Sequence, residues 1–536
     1  MPTKRAISAA RVLSAGAVLL SASLAACGQA GREGGAGGAD GGGAQEYGLG
    51  RLSAQSLDWT DCPAPSALQG GGEAPDALPD GTRWQCAAME APLDWEEPDG
   101  ETLDIALVRA RSSADAEDRI GSLLFNFGGP GASGVTTLPG LAADYENLRT
   151  RYDLVSFDPR GVGNSSGVRC LDAPAMAEMV QQDATPDDGD DEVDAFRKYQ
   201  REYAAACEKN SGRVLPHVGT ADAARDMDLI RRVLGDDKLH YFGISYGTEL
   251  GGTYAHLFPR NVGRAVLDGV VDPTQNQLEN ALAQAAGFQL AFDHFAAWCV
   301  RNGCPLGGSV EEVTQRVMQL ADRLDDRPLT LDGDRRLTGS LLLQGIMAAL
   351  YSETAWPALE VGLAAAAAGD GDTMLNLADI LSGRHGNVFS DLQDANTAIT
   401  CADRSDRYTP DEVADRASEF EAASAVFGET AMWGTLQCTG WPVPGKAAHP
   451  EVSAPGAAPI LLVGNTGDPA TPYQGAARMA EQLGRGVGVQ LTYKGEGHGA
   501  YHSGNSCVRD AVDAYLLDGR VPASGTVCEH EPTTGK

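Results

Sequence analysis

Short apolar runs that end at glycine-rich turns recur along this chain. They alternate with stretches whose apolar positions repeat every three to four residues. Residues 103–111, 239–244, 264–267, 459–463 and 487–493 are of strand length and character. Residues 122–127 (SLLFNF) stop at Gly128-Gly129-Pro130-Gly131, and 153–157 (DLVSF) stop at Asp158-Pro159-Arg160-Gly161. Both read as strands, the first a buried one running into a tight loop. Residues 220–234 place Ala223, Met227, Ile230 and Leu234 on one helical face, with Thr220 as the expected N-cap. A further helix is expected over 246–258. Strands alternating with helices predict a mostly parallel α/β sheet.

The texture changes between residues 273 and 403. This stretch is rich in Ala and Leu, and 337–351 and 356–368 have helical patterns, so it reads as a helical insertion into the strand series. Residues 62–100 are rich in Pro, Gly and acidic side chains and are expected to hold little regular structure. No internal repeat is visible.

The start of the chain reads as an export address. Lys4, Arg5 and Arg11 precede the apolar run 12–26, which is short for a membrane span and suits a signal-peptide core. It ends in Leu24-Ala25-Ala26-Cys27, which resembles the lipobox of bacterial lipoproteins and makes Cys27 the expected lipidation site. A plain signal peptide with an incidental cysteine, giving a fully secreted protein, is the alternative. The Gly- and Ala-rich residues that follow read as a flexible tether. The expected organisation is a signal peptide at 1–27, a tether at 28–58, a first core segment at 59–272, a helical cap at 273–403 and a second core segment at 404–536.

Composition narrows the class. Eleven cysteines less Cys27 leave ten, an even number suited to disulfides in an exported chain. Their intervals suggest sequential pairs: Cys62 with Cys86, Cys170 with Cys207, Cys299 with Cys304, Cys401 with Cys438, and Cys507 with Cys528. No CxxC pair or histidine cluster accompanies them, so no metal site is expected, and no cofactor. A formal charge of −33 argues against nucleic-acid binding, which Lys and Arg drive by neutralising phosphates. Membrane association is expected only through the lipid anchor.

The candidate chemistry is nucleophilic. Gly243-Ile244-Ser245-Tyr246-Gly247 matches G-x-S-x-G between an apolar strand and a helix. That setting exposes a serine hydroxyl on a sharp turn, and the helix dipole favours developing negative charge there. In the loop after residues 122–127, glycines let backbone N–H groups reach a substrate carbonyl. Gly129 with Tyr246 is the expected oxyanion hole, Gly128 the near alternative. No GK[ST] or G-x-G-x-x-G accompanies this loop, so a phosphate cradle is not favoured. Asp468 follows the strand 459–463, and His498 stands between glycines thirty residues later, in the chain order serine, acid, histidine. His502 competes as base, and Asp268 and Asp272 compete as acid. In the expected roles His498 takes the Ser245 proton and returns it to the leaving group, while Asp468 orients the imidazole.

FNFGGPGASG, FDPRGVGNSSGVRC, YFGISYGTELGGTYAHLFP, RAVLDGVVDP, GDPATP and GEGHG together resemble the secreted tripeptidyl aminopeptidases, relatives of the prolyl aminopeptidases. The tail with Ser506-Cys507, Tyr515-Leu516 and Gly525-Thr526-Val527-Cys528 is similar to their C-terminal segment, and the likeness runs from about Trp59 to Cys528. Phe127 stands where prolyl aminopeptidases usually carry histidine. The resemblance implies an α/β-hydrolase fold with a helical cap. It also implies release of short peptides from free amino termini, with the triad at Ser245, Asp468 and His498. A charged amino terminus calls for carboxylates near the acyl site, and Glu249, Glu279, Glu353 and Asp403 are the candidates. Trp356, Trp433 and Trp441 are read as core, with pocket lining as the alternative. The rival readings are a surface carboxylesterase or lipase using the same triad on small esters, and a lipoprotein that binds peptides without hydrolysis.

Overall fold

Ten strands form one sheet: β1 Thr60–Asp61, β2 Gln85–Pro92, β3 Thr102–Ala110, β4 Gly121–Asn126, β5 Tyr152–Phe157, β6 Leu239–Ile244, β7 Val262–Asp268, β8 Ile460–Gly467, β9 Gly488–Glu496 and β10 Thr526–Glu529. They lie in the order β1-β2-β3-β5-β4-β6-β7-β8-β9-β10. The computed structural model describes residues 49–530 apart from 183–185, 187–189 and 332–334. The expected signal peptide, Cys27 and residues 28–48 of the expected tether lie outside these described residues.

From β5 to β10 every pairing is parallel, whereas β1, β2 and β3 run as an antiparallel ribbon joined to β5. This is the mostly parallel sheet of the α/β-hydrolase fold. The pleat sends alternate side chains to two separate cores. Phe125, Phe242, Val266 and Leu461 lie on one face with Val512 and Leu516. Leu124, Tyr241, Leu267 and Leu462 lie on the other with Met227 and Leu250. Cover on both faces explains why the parallel strands are apolar nearly throughout rather than alternating.

The helices used below are α1 Asp190–Ser211, α2 Thr220–Val233, α3 Tyr246–Leu257, α4 Gln277–Arg301, α5 Gly339–Leu350, α6 Leu392–Asp403, α7 Gly428–Gly434 and α8 Ser506–Asp518. From β7 to residue 438 the described chain is mainly helical, apart from two small hairpins, with helices continuing past residue 403 to a 3₁₀ turn at Thr435–Cys438; residues 439–459 then lead to β8 without a helix. Much of this insertion has its own core, with Phe288, Phe292, Phe295, Leu341, Ile346 and Leu359. Helix α6 is different: Ala395, Ala398, Ile399 and Cys401 pack into the sheet's own core.

Two local expectations are corrected. Within residues 62–100 lies the eight-residue strand β2, paired along its length with β3 from Gln85↔Arg109 to Pro92↔Thr102. Its small residues carry little strand signal, and pairing with β3 supplies what propensity does not. Thr220 is not the N-cap of α2, a place taken by Gly219. The Thr220 hydroxyl instead donates to Asp403 Oδ2 at 2.6 Å and lies 2.6 Å from the Tyr246 hydroxyl.

Five disulfides join Cys62–Cys86, Cys170–Cys207, Cys299–Cys304, Cys401–Cys438 and Cys507–Cys528, in the sequential pairs the spacing suggests. Such a set belongs to an oxidising, extracytoplasmic compartment. Among the described residues no helix is long and apolar enough to cross a membrane. Arg160 is fully buried, paired with both oxygens of Asp226 at 2.7 Å and donating to the carbonyls of Pro92, Leu93 and His217. It knots the turn after β5 to β2 and α2.

Candidate active site

Strand β4 lies between β5 and β6, so the chain winds away from it in both directions and leaves a crevice at the strands' carboxyl ends. Four loops meet there. They follow β4 (Gly128 to Gly134), β6 (Ser245), β8 (Asp468) and β9 (His498).

Ser245 occupies the turn between β6 and α3 with φ 59° and ψ −127°, one of two described non-glycine residues at positive φ. The flanking glycines are required by close approach. A Cβ on Gly243 would lie 2.3 Å from the Gly247 carbonyl oxygen, and one on Gly247 would lie 2.5 Å from that of Asn126. The Ser245 amide donates to the Asp268 carbonyl at 3.0 Å, which ties the strained turn to β7.

The acid and the imidazole are joined directly. Asp468 Oδ1 and Oδ2 lie 2.8 and 3.0 Å from His498 Nδ1. Oδ1 also accepts the amides of Ala470 and Thr471, and Oδ2 that of Gly499. These bonds fix the carboxylate and leave its charge to the imidazole. Burial disfavours the imidazolium, but the charge and hydrogen bond of Asp468, helped by the charge of Asp268, outweigh that and raise the His498 pKa above 6.5. The other ring nitrogen, Nε2, is buried and has no hydrogen-bond partner among the described residues. With Nδ1 held by the carboxylate, Nε2 is the free lone pair of the neutral ring.

Asp268, the competing acid, faces the histidine loop from another side. Its carboxylate accepts the amides of Ala500 and Tyr501 at 2.8 to 3.0 Å, and it makes no bond to the imidazole. Burial pushes its pKa up to about 6 against the pull of those two amides. Asp272 accepts from Thr274 instead. His502 stacks edge-on against Tyr145 and Tyr501 beside Asp144.

Gly128 has φ 91°, and a Cβ there would lie 2.7 Å from Ser245 Cβ and 3.2 Å from the Tyr246 amide nitrogen, so the loop after β4 lies directly against the serine turn. The Gly128 amide already donates to Asn126 Oδ1 at 3.1 Å. The loop is held from the far side by Asn396 of α6, whose amide donates to the Pro130 carbonyl at 3.1 Å.

Ser245, Gly129 and Tyr246 line a cavity of about 420 Å³ together with Glu249, Tyr351, Asn396, Asp403, Arg404 and Thr471. Two of the four candidate carboxylates therefore share the serine's cavity. Glu249 is buried and paired with Arg404 at 2.7 Å. Asp403 accepts the Thr220 amide and hydroxyl, and desolvation with the Glu249 charge pushes it up to about 7. The other two lie elsewhere: Glu279 closes a capping box with Asn276 at the exposed start of α4, and Glu353 lies 3.9 Å from His530. A larger cavity of about 950 Å³, lined in part by Cys62, Pro75, Leu78 and Pro139, holds none of Ser245, Asp468 and His498.

Sequence reasoning did not find Arg404, Asn396, Thr471 or Tyr351. Thr471 Oγ1 lies 3.3 Å from His498 Nδ1. Tyr351 accepts the His498 amide at 2.8 Å through its carbonyl and sets its ring edge-on to the imidazole at 5.1 Å. Thr471 stands in the GDPATP run and Arg404 follows Asp403, which are the only signals they carry. Tyr351 and Asn396 sit in helical sequence with none.

The TAP-like protein family matches residues 423–528. The chain is 36% identical over 491 residues to the serine protease Hip1 of Mycobacterium tuberculosis, covering 88% of this chain and 91% of that protein. It is 32% identical over 495 residues to the tripeptidyl aminopeptidase of Streptomyces lividans, covering 90% and 88%. It is also 35% identical over 456 residues to the carboxylesterase B of Mycobacterium tuberculosis, covering 83% and 86%. On this likeness along most of its length, the chain belongs to the family of serine hydrolases, with an α/β-hydrolase fold, that includes Hip1 and the tripeptidyl aminopeptidases.

Proposed function

We propose that this serine peptidase releases tripeptides from free amino termini through an acyl-enzyme on Ser245. The observation that carries the reading is the acid set in the serine's cavity. Asn396, which holds the oxyanion loop, and Asp403 both face that cavity from α6, seven residues apart. That is about 10 Å of helix, and three extended residues also span about 10 Å. An ammonium group held at Asp403 would thus lie about three extended residues from the loop that Asn396 holds against the Ser245 turn. Arg404 offsets the Glu249 charge, which leaves Asp403 as the acid most in need of a cation.

In this reading Ser245 Oγ attacks the third carbonyl carbon while its proton passes to His498 Nε2. The amides of Gly129 and Tyr246 receive the oxyanion, Gly129 being favoured because the Gly128 amide is engaged by Asn126. The C–N bond breaks as His498 returns the proton to the leaving amine. Water, deprotonated by His498, then frees the tripeptide and restores the Ser245 hydroxyl. Asp468 holds the imidazole and balances its charge throughout. Export with a lipid anchor at Cys27 is part of the same proposal.

The test uses an alanyl tripeptide chromogenic amide, its N-acetylated form, a prolyl amide and a short acyl ester, with the wild type and Ser245→Ala. Cleavage of the free tripeptide amide alone, abolished by the substitution, is expected. Equal turnover of the acetylated amide, or preference for the ester, would overturn the aminopeptidase reading in favour of a carboxylesterase. Activity surviving in Ser245→Ala would overturn the triad.

A further inference from the structure

A second chamber adjoins the catalytic cavity. The two share Thr430, Gly434 and Gln437, so they are neighbouring parts of one cleft between α6 and α7. The chamber holds about 320 Å³ and is walled by Phe196, Tyr199 and Tyr203 of α1 with Trp433 and Trp441. These aromatic walls are braced. Phe196 meets Trp433 edge-on at 6.0 Å, Tyr203 lies 6.4 Å from Trp441, and the Tyr203 hydroxyl donates to Asp394 at 2.7 Å. Gln200 ties α1 to the 3₁₀ turn by donating to the Leu436 carbonyl at 2.9 Å. Trp433 and Trp441 are therefore both core and lining.

Helix α6 sets the chamber level with the oxyanion loop. Asp403 stands at its C-terminal end, Asn396 holds the oxyanion loop seven residues earlier, and Gln393 and Thr397, on either side of Asn396 in the chain, face the chamber. A peptide with its amino terminus at Asp403 and its scissile carbonyl at Gly129 has the aromatic walls beside its scissile bond, at the end away from its amino terminus. We infer that this chamber is the subsite for the departing peptide and takes a bulky aromatic or aliphatic residue directly after the scissile bond. The inference rests on the aminopeptidase reading. A large apolar side chain there leaves water for five aromatic rings, whereas glycine at that position covers none of them. Discrimination of roughly 10-fold or more in kcat/KM is expected from such a contact.

The experiment compares tri-alanyl peptides extended by phenylalanine amide or by glycine amide and measures released tripeptide. The ratio of the two kcat/KM values cancels any loss common to both substrates. In the wild type the ratio should be roughly 10 or more. Filling the chamber with Thr397→Phe, or opening it with Tyr199→Ala, should bring the ratio towards one, with folding checked by thermal melting. A wild-type ratio near one, or a ratio unmoved by both substitutions, would overturn the chamber assignment while leaving the aminopeptidase intact. Failure to release tripeptide from either peptide in the wild type would overturn both readings.

Discussion

The amide of Ser245 donates to the carbonyl of Asp268 at 3.0 Å, and the carboxylate of that aspartate receives the amides of Ala500 and Tyr501. One buried residue of β7 thus holds both the serine turn and the loop that carries His498. Asp268→Ala leaves two buried N–H groups without acceptors, at a cost of about 1–3 kcal/mol each. Chemical unfolding should show that loss, and kcat should fall more than KM rises. Asp268→Asn, which keeps one side-chain oxygen, should lie between the two.

The raised pKa of His498 fixes the sense of the acid limb. As the proposed general base His498 must be neutral, so kcat/KM should fall as pH drops through a value above 6.5. Asp468→Asn removes the charge that raises it. That variant should lose about 10⁴ in kcat, and what activity it keeps should titrate at lower pH than the wild type. A pH–rate profile of both proteins checks this.

Asp403 titrates near 7, pushed up by desolvation and by Glu249. In the proposed binding mode its charged form holds the ammonium group, so KM for a free-amino tripeptide amide should fall as pH rises through about 7. Asp403→Asn should raise that KM by roughly 10- to 100-fold, the worth of a charged hydrogen bond. It should also flatten the pH dependence while leaving the acetylated amide unaffected. Steady-state kinetics across neutral pH read both effects.

His294 of α4 lies 2.9 Å from Glu496, two residues before His498 in the chain, and so ties the insertion to the histidine loop. The hydrogen bond and charge of Glu496 raise the His294 pKa above 6.5. A raised histidine stabilises the fold fully below its unfolded pKa, and that contribution is lost as pH rises through the folded value. The melting temperature of His294→Gln should therefore fall below wild type at acidic pH, and the two should converge in alkali. The pair is partly exposed, so the effect should not exceed about 1 kcal/mol.

Much of the sheet was legible because parallel strands buried on both faces are written as uninterrupted apolar runs, as in the β4, β6 and β8 sequences. Ser245, with its strand, elbow and helix, was legible for a related reason. The backbone there excludes any side chain at Gly243 and Gly247, so the chemistry leaves a local signature. Strand β2 was not legible, since Gln85–Pro92 is a strand through its partner β3 rather than through its own residues.

The sequence by itself determined most of the parallel strands and the helix after the serine, the glycine-flanked serine and histidine, and the cysteine intervals that match the disulfides. Local spacing and backbone sterics are enough for these. Only the tertiary structure decided which aspartate touches the imidazole. Asp268 and Asp468 both end strands of the same sheet, and which carboxylate meets the imidazole depends on how the loops after β8 and β9 fold over one another. The same holds for the cavity, where Glu249 and Asp403, 154 residues apart, come together while Glu279 caps a helix. Charge and desolvation act through space, and the pairing of Arg404 with Glu249 or of Thr220 with Asp403 exists only once α2, α3 and α6 are packed.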